Sequence, residues 1–233
     1  MDAHTIQQLA AEVGLDDCSI VAAHRREADA TFMNEWVAKG LHGNMSYLER
    51  NQELRYDPRQ LVIGAQTIVI GVLTYAHSGH DYHRTMKSAL YELEKRLVEE
   101  DLRCGGNGKL TNENQQHIFC DSAPFLERAW AVEAGLGFIG KNHQLIHKSL
   151  GSMIHVGELV LNILVQMDNT PSPLSSRCGA CTRCIDACPG QALGNKDWDA
   201  RKCVAYVTHH CLSCQLICPY NESIQQNEDC PCI

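Results

Sequence analysis

The sequence predicts an α/β N-terminal domain, residues 1–169, followed by a small cysteine-rich domain, residues 170–233. Three observations carry that expectation. Over the first two thirds of the chain, apolar residues alternate between helical spacing and continuous β-branched runs, the pattern of helices packed on a sheet. A Pro/Ser-rich stretch, Thr170-Pro-Ser-Pro-Leu-Ser-Ser176, then reads as a linker. Beyond it, eight of the thirteen cysteines fall between Cys178 and Cys218.

The elements follow in order. Ile6, Leu9, Ala10 and Val13 have helical spacing over 1–12. Residues 31–40 read as a second helix, stopped by Gly40 and Gly43. Thr67–Thr74 is an unbroken apolar run rich in β-branched residues, a buried strand. Met86, Leu90, Leu93 and Leu97 mark an amphipathic helix. Gly105–Gly108 is a turn, and 117–120 is a short strand. Pro124 opens a helix running to Gly135, with Asp121 or Ser122 as its cap. Val156–Val165 is a further strand. Gly135, Gly137 and Gly140 form a G-x-G-x-x-G, but it follows a helix where a dinucleotide fingerprint must follow a strand, so it does not bind NAD. Its glycines let the backbone pass close to something bulky, either a cofactor or the packed helix before it.

The cysteine block carries the most specific chemistry. Cys178-x2-Cys181-x2-Cys184-x3-Cys188-Pro189 is the run of bacterial iron–sulfur proteins, and Cys211-x2-Cys214-x3-Cys218-Pro219 nearly repeats it. Three thiolates on a tight loop reach three irons of one cubane, and the cysteine before proline serves the other cubane. One [4Fe–4S] cluster then takes Cys178, Cys181, Cys184 and Cys218. In the second run Thr208 stands where a first cysteine is expected, and Cys203 replaces it. The second cluster takes Cys188, Cys203, Cys211 and Cys214. The domain is therefore read as ferredoxin-like, with two clusters. Zinc sites favour paired C-x2-C knuckles without the Cys-Pro ending. Disulfides do not suit a chain whose amino terminus lacks the features of an export signal.

Composition narrows the rest. Hydrophobic residues are 44% and charged residues 21%, an ordinary globular mixture. No apolar stretch is long enough to span a membrane, and retained thiols point to a reducing cytoplasm. A net charge of −8 argues against a wide nucleic-acid footprint while leaving room for a local basic patch. Cys18 and Cys120 read as small buried hydrophobes. Cys230 and Cys232 read as part of a loose terminus. The twelve histidines are scattered except for His209-His210, and none is assigned to a metal.

From about residue 30 onward the chain resembles the epoxyqueuosine reductases. The matching stretches are Lys39–Ser46, Glu53–Arg59, Asp81–His83, Asp121-Ser-Ala-Pro-Phe-Leu-Glu-Arg128, Ala134–Asn142, Gly151-Ser152 and the cysteine block through Asn221, with Cys203 as substitute ligand. The resemblance implies a cobalamin-dependent oxidoreductase with its corrinoid in the N-terminal domain. Two clusters pass single electrons to the cobalt. Cob(I)alamin then attacks the cyclopentane epoxide of epoxyqueuosine at the tRNA wobble position, and reduction to queuosine completes that biosynthetic route. It also implies a flavodoxin or ferredoxin as electron donor, a cytoplasmic location, no membrane contact and a monomer. Asp121 matches the family's proton donor, while a helix-cap role remains its competing reading. Arg55 matches a position at the cofactor, its alternative being a solvated helix charge. Gln144, Val156 and Gly157 fall in segments that line the corrin, and Ala205 and Leu212 lie beside second-cluster ligands. Lys141 would meet a phosphate or a corrin amide, or be an ordinary surface lysine.

The chain also departs from the family. The Cys203–Cys211 segment is short, Met153 and His155 stand in a segment usually more aromatic, and relatives continue past Asn221 into a helical-repeat region. Those departures leave tRNA binding to the cofactor domain alone, a smaller substrate, or a chain that is a fragment. Two rivals are a corrinoid reductase of another substrate, like the reductive dehalogenases, and a non-catalytic iron–sulfur electron carrier.

Overall fold

A computed structural model describes residues 1–79, 81–112, 114–167, 172–194, 197–208 and 211–222. Its helices and strands, in chain order, are α1 (Ala3–Glu12), β1 (Asp17–Ala22), α2 (Glu27–Ala38), α3 (Gln52–Tyr56), α4 (Pro58–Leu61), β2 (Thr67–Thr74), α5 (Tyr75–Ser78) and α6 (Tyr82–Arg103). There follow β3 (Ile118–Phe119), α7 (Glu127–Glu133), β4 (Gly137–Ile139), β5 (Leu145–His147), β6 (Ile154–Leu161), α8 (Arg183–Asp186), α9 (Val204–Thr208) and α10 (Ser213–Leu216). The mixed helix-and-strand content matches the expectation. The main sheet, in the order β1-β2-β6-β3, is antiparallel throughout.

The sheet is covered on both faces, which explains why β2 is apolar without a break. Its Val69 and Leu73 pack with Ile6 and Ala10 of α1 and with Met86, Leu90, Leu93 and Leu97 of α6. Its Ile68, Ile70 and Val72 pack on the other face with Trp130 and Ala131 of α7. The four α6 residues are fully buried, and each contributes roughly 2 kcal/mol by leaving water. Helix α6 lies so close to the sheet that a Cβ at Gly157 would sit 2.5 Å from Met86 Cγ.

Several boundaries differ from the sequence reading. The last strand begins at Ile154, two residues early, and ends at Leu161. Strand β1 and the β4–β5 hairpin were not foreseen. That hairpin accounts for the glycine run: a Cβ at Gly137 would collide with the Ile146 carbonyl of β5, so the close neighbour is a strand. The helix expected from Pro124 starts at Glu127, with Leu126 as N-cap and no side-chain cap. Before it, Ala123–Phe125 close a tight turn, Phe125 N–H donating to the Ala123 carbonyl at 2.8 Å. Asp121 is therefore no helix cap.

Residues 172–176, the described part of the linker, have no regular structure. Residues 168–171, His209-His210, Cys230 and Cys232 lie outside the described residues. Past the linker the chain returns to α2 and the turn after it. Trp198 stacks on Trp36 with ring centroids 5.8 Å apart, and its carbonyl accepts from Trp36 Nε1 at 2.7 Å. The Ala200 N–H donates to the Leu41 carbonyl at 2.9 Å. A buried network closes the other end: Ser152 N–H donates to Asn221 Oδ1 at 2.7 Å, Asn221 Nδ2 donates to Ser152 Oγ and the Gln215 carbonyl, and Gln215 Nε2 donates to the Ser152 carbonyl.

Candidate metal centres and active-site cleft

The two cysteine runs fold as two similar loops, each leading into a one-turn helix, α8 and α10. The thiols of the two runs act on one another. Burial pushes the Cys184 thiol up, and the thiols that add to this are Cys178 and Cys218. Cys218 is likewise pushed up by burial and by Cys178 and Cys181. Cys214 is pushed up to about 11 by burial and then by Cys211, Cys184, Cys203 and Cys188. The neighbours of Cys218 are thus Cys178 and Cys181, and those of Cys214 are Cys211, Cys203 and Cys188 together with Cys184 of the other run. Crowded thiols that resist ionisation alone are suited to a cationic iron core, which takes them as thiolates. Among the described residues no three His, Cys, Asp or Glu side chains gather closely enough to hold one metal ion. A cubane spreads its four thiolates over four irons, so it does not require such a gathering.

Side chains from the sheet domain hold these loops. Lys141 Nζ, in the β4–β5 turn, donates to the Gly179 and Cys181 carbonyls at 2.8 and 2.9 Å. Asn142 Nδ2 donates to the Cys214 carbonyl at 3.4 Å. Lys141 is thus neither free at the surface nor aimed at a phosphate.

Three cavities meet around Arg128. One, of about 780 Å³, is walled by Ala205, Leu212, Gln144 and the whole second cysteine set. One of about 770 Å³ runs from Arg55 past Phe32, Met33 and Trp36 to Asp121. A third, of about 230 Å³, joins them beneath Tyr75, Tyr82, His155 and Val156. The two larger cavities have mostly apolar walls with a few convergent polar groups, as a bulky cofactor requires. The residues present therefore fit a corrinoid in size and character.

The floor of the cleft is an acidic cluster under aromatic rings. Asp121 is exposed and its φ is +48°, a left-handed conformation that costs a non-glycine residue energy. Tyr82 Oη donates to Asp121 Oδ2 at 2.9 Å, and the Asp121 N–H donates to Glu127 Oε1 at 2.6 Å. Burial, then the Asp121 charge, pushes the Glu127 carboxyl up to about 8. Glu158, in the middle of β6, is fully buried with no hydrogen-bond partner on either carboxyl oxygen. Burial drives it well above the usual carboxylate range, helped by Glu127 and Asp121. His155 stacks between Tyr75 and Tyr82, at 4.5 and 3.8 Å, and burial lowers it to about 4, so it is neutral.

The expected residues fall as follows. Asp121, Gln144, Val156, Ala205 and Leu212 line the cleft. Arg55 borders it but is buried and spent on the Tyr47, Leu48 and Arg50 carbonyls at 3.3 Å, so it is not a solvated charge. Gly157 lines none of the three cavities, and its open side faces Met86 and Leu90. Cys18 and Cys120 are buried. Sequence reasoning missed Tyr75, Tyr82, Glu127, Arg128 and Glu158 as site residues. Glu127 and Arg128 end the Asp121–Arg128 stretch, and Tyr82 sits within Asp81–His83, so those motifs were the available signal.

No protein-family profile matches the chain. An epoxyqueuosine reductase of Leadbetterella byssophila is 34% identical, over 93% of this chain and 78% of that one. The structure of epoxyqueuosine reductase from Streptococcus thermophilus superposes with a TM-score of 0.78 at 26% identity, over 94% of this chain and 65% of that one. An epoxyqueuosine reductase solved with an epoxyqueuosine-modified tRNA-Tyr stem loop superposes at 0.80 and 23% identity, over 94% and 64%. A reductive dehalogenase linked to B12-dependent dehalogenation shares the fold at 0.57 and 15% identity, over 93% of this chain and 31% of that one. The chain thus spans about two thirds of the solved reductases and a larger share of the curated relative. At this identity and coverage, the chain belongs to the epoxyqueuosine reductase family of oxidoreductases.

Proposed function

We propose that this chain is a tRNA epoxyqueuosine reductase, which reduces the epoxide of the wobble nucleoside to the alkene of queuosine. The reading assigns residues 1–169 to a cobalamin-binding catalytic domain and 170–233 to a ferredoxin-like domain with two [4Fe–4S] clusters. One observation carries it: the second cysteine set walls the same cleft that reaches, past Arg128 and Gln144, to Asp121. An electron carrier alone has no need of a deep cleft ending at an acid.

When bound, cobalamin supplies a strongly nucleophilic reduced cobalt and the clusters supply single electrons. Ala205, Leu212, Gln144 and Val156 would hold the corrinoid, with Arg55 bracing the adjoining loop. The thiolates of Cys178, Cys181, Cys184 and Cys218, and of Cys188, Cys203, Cys211 and Cys214, would hold the clusters. Asp121 gives its proton to the epoxide oxygen, and the Tyr82 hydroxyl fixes the carboxyl that does so. Neutral His155 keeps a second positive charge away from that proton. Flavodoxin or ferredoxin serves as donor, and the cytoplasm, where tRNA is modified, is the setting. Among the described residues no helix is long and apolar enough to cross a membrane.

The test is anaerobic incubation of the cluster-loaded chain with epoxyqueuosine-bearing tRNA and a reductant, with nucleosides read by mass spectrometry. Queuosine is expected only when cobalamin is present. Unchanged epoxyqueuosine with clusters and corrinoid both bound would refute the assignment.

A further inference from the structure

Epoxide reduction has a proton requirement that one acid does not meet. Both C–O bonds break, a C=C bond forms, two electrons enter, and the oxygen leaves as water carrying two protons. Asp121 accounts for one of them. The second requires another acid that is still protonated at neutral pH and close enough to feed the same oxygen.

We propose that Glu127 holds this second proton and passes it to Asp121, which it touches, so that one carboxyl pair serves both proton transfers. The inference rests on the reductase reading above. Glu127 borders both the cavity that runs to Arg55 and the one under the aromatic stack. Its Oε1 accepts the Asp121 backbone N–H at 2.6 Å, which fixes the Glu127 side chain against the Asp121 backbone. Behind the pair stands Glu158, fully buried and without a partner on either oxygen. An isolated buried carboxyl is costly unless it stays protonated. Its position beside Glu127 is therefore difficult to explain by packing, and it denies the pair any stable state with every carboxyl charged.

The other ionisable groups in this environment give little relief. Tyr82 and Cys120 are both pushed up, chiefly by burial. His155 is neutral and stacks on Tyr82, which stacks in turn on His83. Arg128 is the cation acting on Glu127, and Lys87 acts on Cys120; neither outweighs burial. The acid form of Glu127 is present below about pH 8 and is lost as pH rises through it. Acting through Asp121, Glu127 is a positioning residue for the proton.

The experiment uses the cluster-loaded full chain with Glu127→Gln, which can still accept the Asp121 N–H, and Glu127→Asp, which keeps an acid. Infrared titration without tRNA should show, beside the protonated carboxyl of Glu158, a second protonated carboxyl in the wild type that disappears through about pH 8 and is absent from Glu127→Gln. In turnover, the wild type should lose rate over that same range. Glu127→Gln should be slower by about 10²-fold without that alkaline limb, and Glu127→Asp should recover part of both. Wild-type rate with an unchanged alkaline limb in Glu127→Gln overturns the inference and leaves the reductase reading standing. So does a carboxyl signal unchanged by the substitution. A wild type that shows the signal but never consumes epoxyqueuosine overturns the reductase reading, and the use of this proton with it.

Discussion

Replacing Glu158 by methionine should stabilise the protein, and the gain should grow with pH. Glu158 lies in β6 opposite Ile70 of β2 and Phe119 of β3, fully buried, with both carboxyl oxygens unpartnered. Methionine has nearly the same length and no polar atom. Removing a buried, unsatisfied polar group recovers about 1–3 kcal/mol. A second contribution depends on pH. The folded carboxyl titrates well above its ordinary value of 4.5, so above pH 4.5 the unfolded chain releases a proton that the folded chain keeps. Wild-type stability from this group is complete below 4.5 and falls as pH rises, by about 1.4 kcal/mol per unit while the folded carboxyl stays protonated. At pH 7 the advantage of Glu158→Met should therefore exceed its advantage at pH 4.5. The assay is anaerobic urea unfolding of cluster-loaded wild type and variant at several pH values, followed by far-UV circular dichroism. A variant less stable than wild type at every pH would refute the reasoning. So would a gain that does not change with pH, since the carboxyl would then be satisfied or charged in the fold.

Three further outcomes follow from the same geometry. Asp121→Asn should keep iron content and corrinoid binding but lose about 10²–10⁴-fold in turnover, measured as queuosine formed per chain. Cys203→Ser should lower iron from about eight to about four per chain, because one ligand set becomes incomplete; colorimetric iron analysis decides it. Asn221→Leu keeps the branched side-chain shape but strips partners from Ser152 N–H, Ser152 Oγ and the Gln215 carbonyl. It should cost about 3 kcal/mol and speed the loss of iron–sulfur absorbance in urea, whereas unchanged bleaching would show that the network does not hold the second loop.

Much of the scaffold was legible because its residues carry one dominant signal. Met86, Leu90, Leu93 and Leu97 could only form a helical stripe, and β2 runs over the residues its apolar stretch marked. Strand β1 was hidden because Asp17, Cys18 and Ser19 dilute its apolar pattern, and pairing with β2 supplies what local propensity lacks. Gly137 signalled a close neighbour, but the sequence did not show that β5 was the neighbour. In the cleft, Asp121 was visible through its motif, while its left-handed backbone and its distance from the helix start depend on the Ala123–Phe125 turn. Glu158 was invisible for a clear reason. Val-Gly-Glu-Leu-Val reads as a strand with a polar side facing water, and only tertiary packing reveals that side as closed.

The most direct test of the account is the metal and corrinoid content of chain reconstituted anaerobically with iron, sulfide and cobalamin and freed of excess by gel filtration. The account predicts about eight irons and one cobalt per chain, with two [4Fe–4S] clusters by spectroscopy. About four irons, or no retained cobalt, would contradict it.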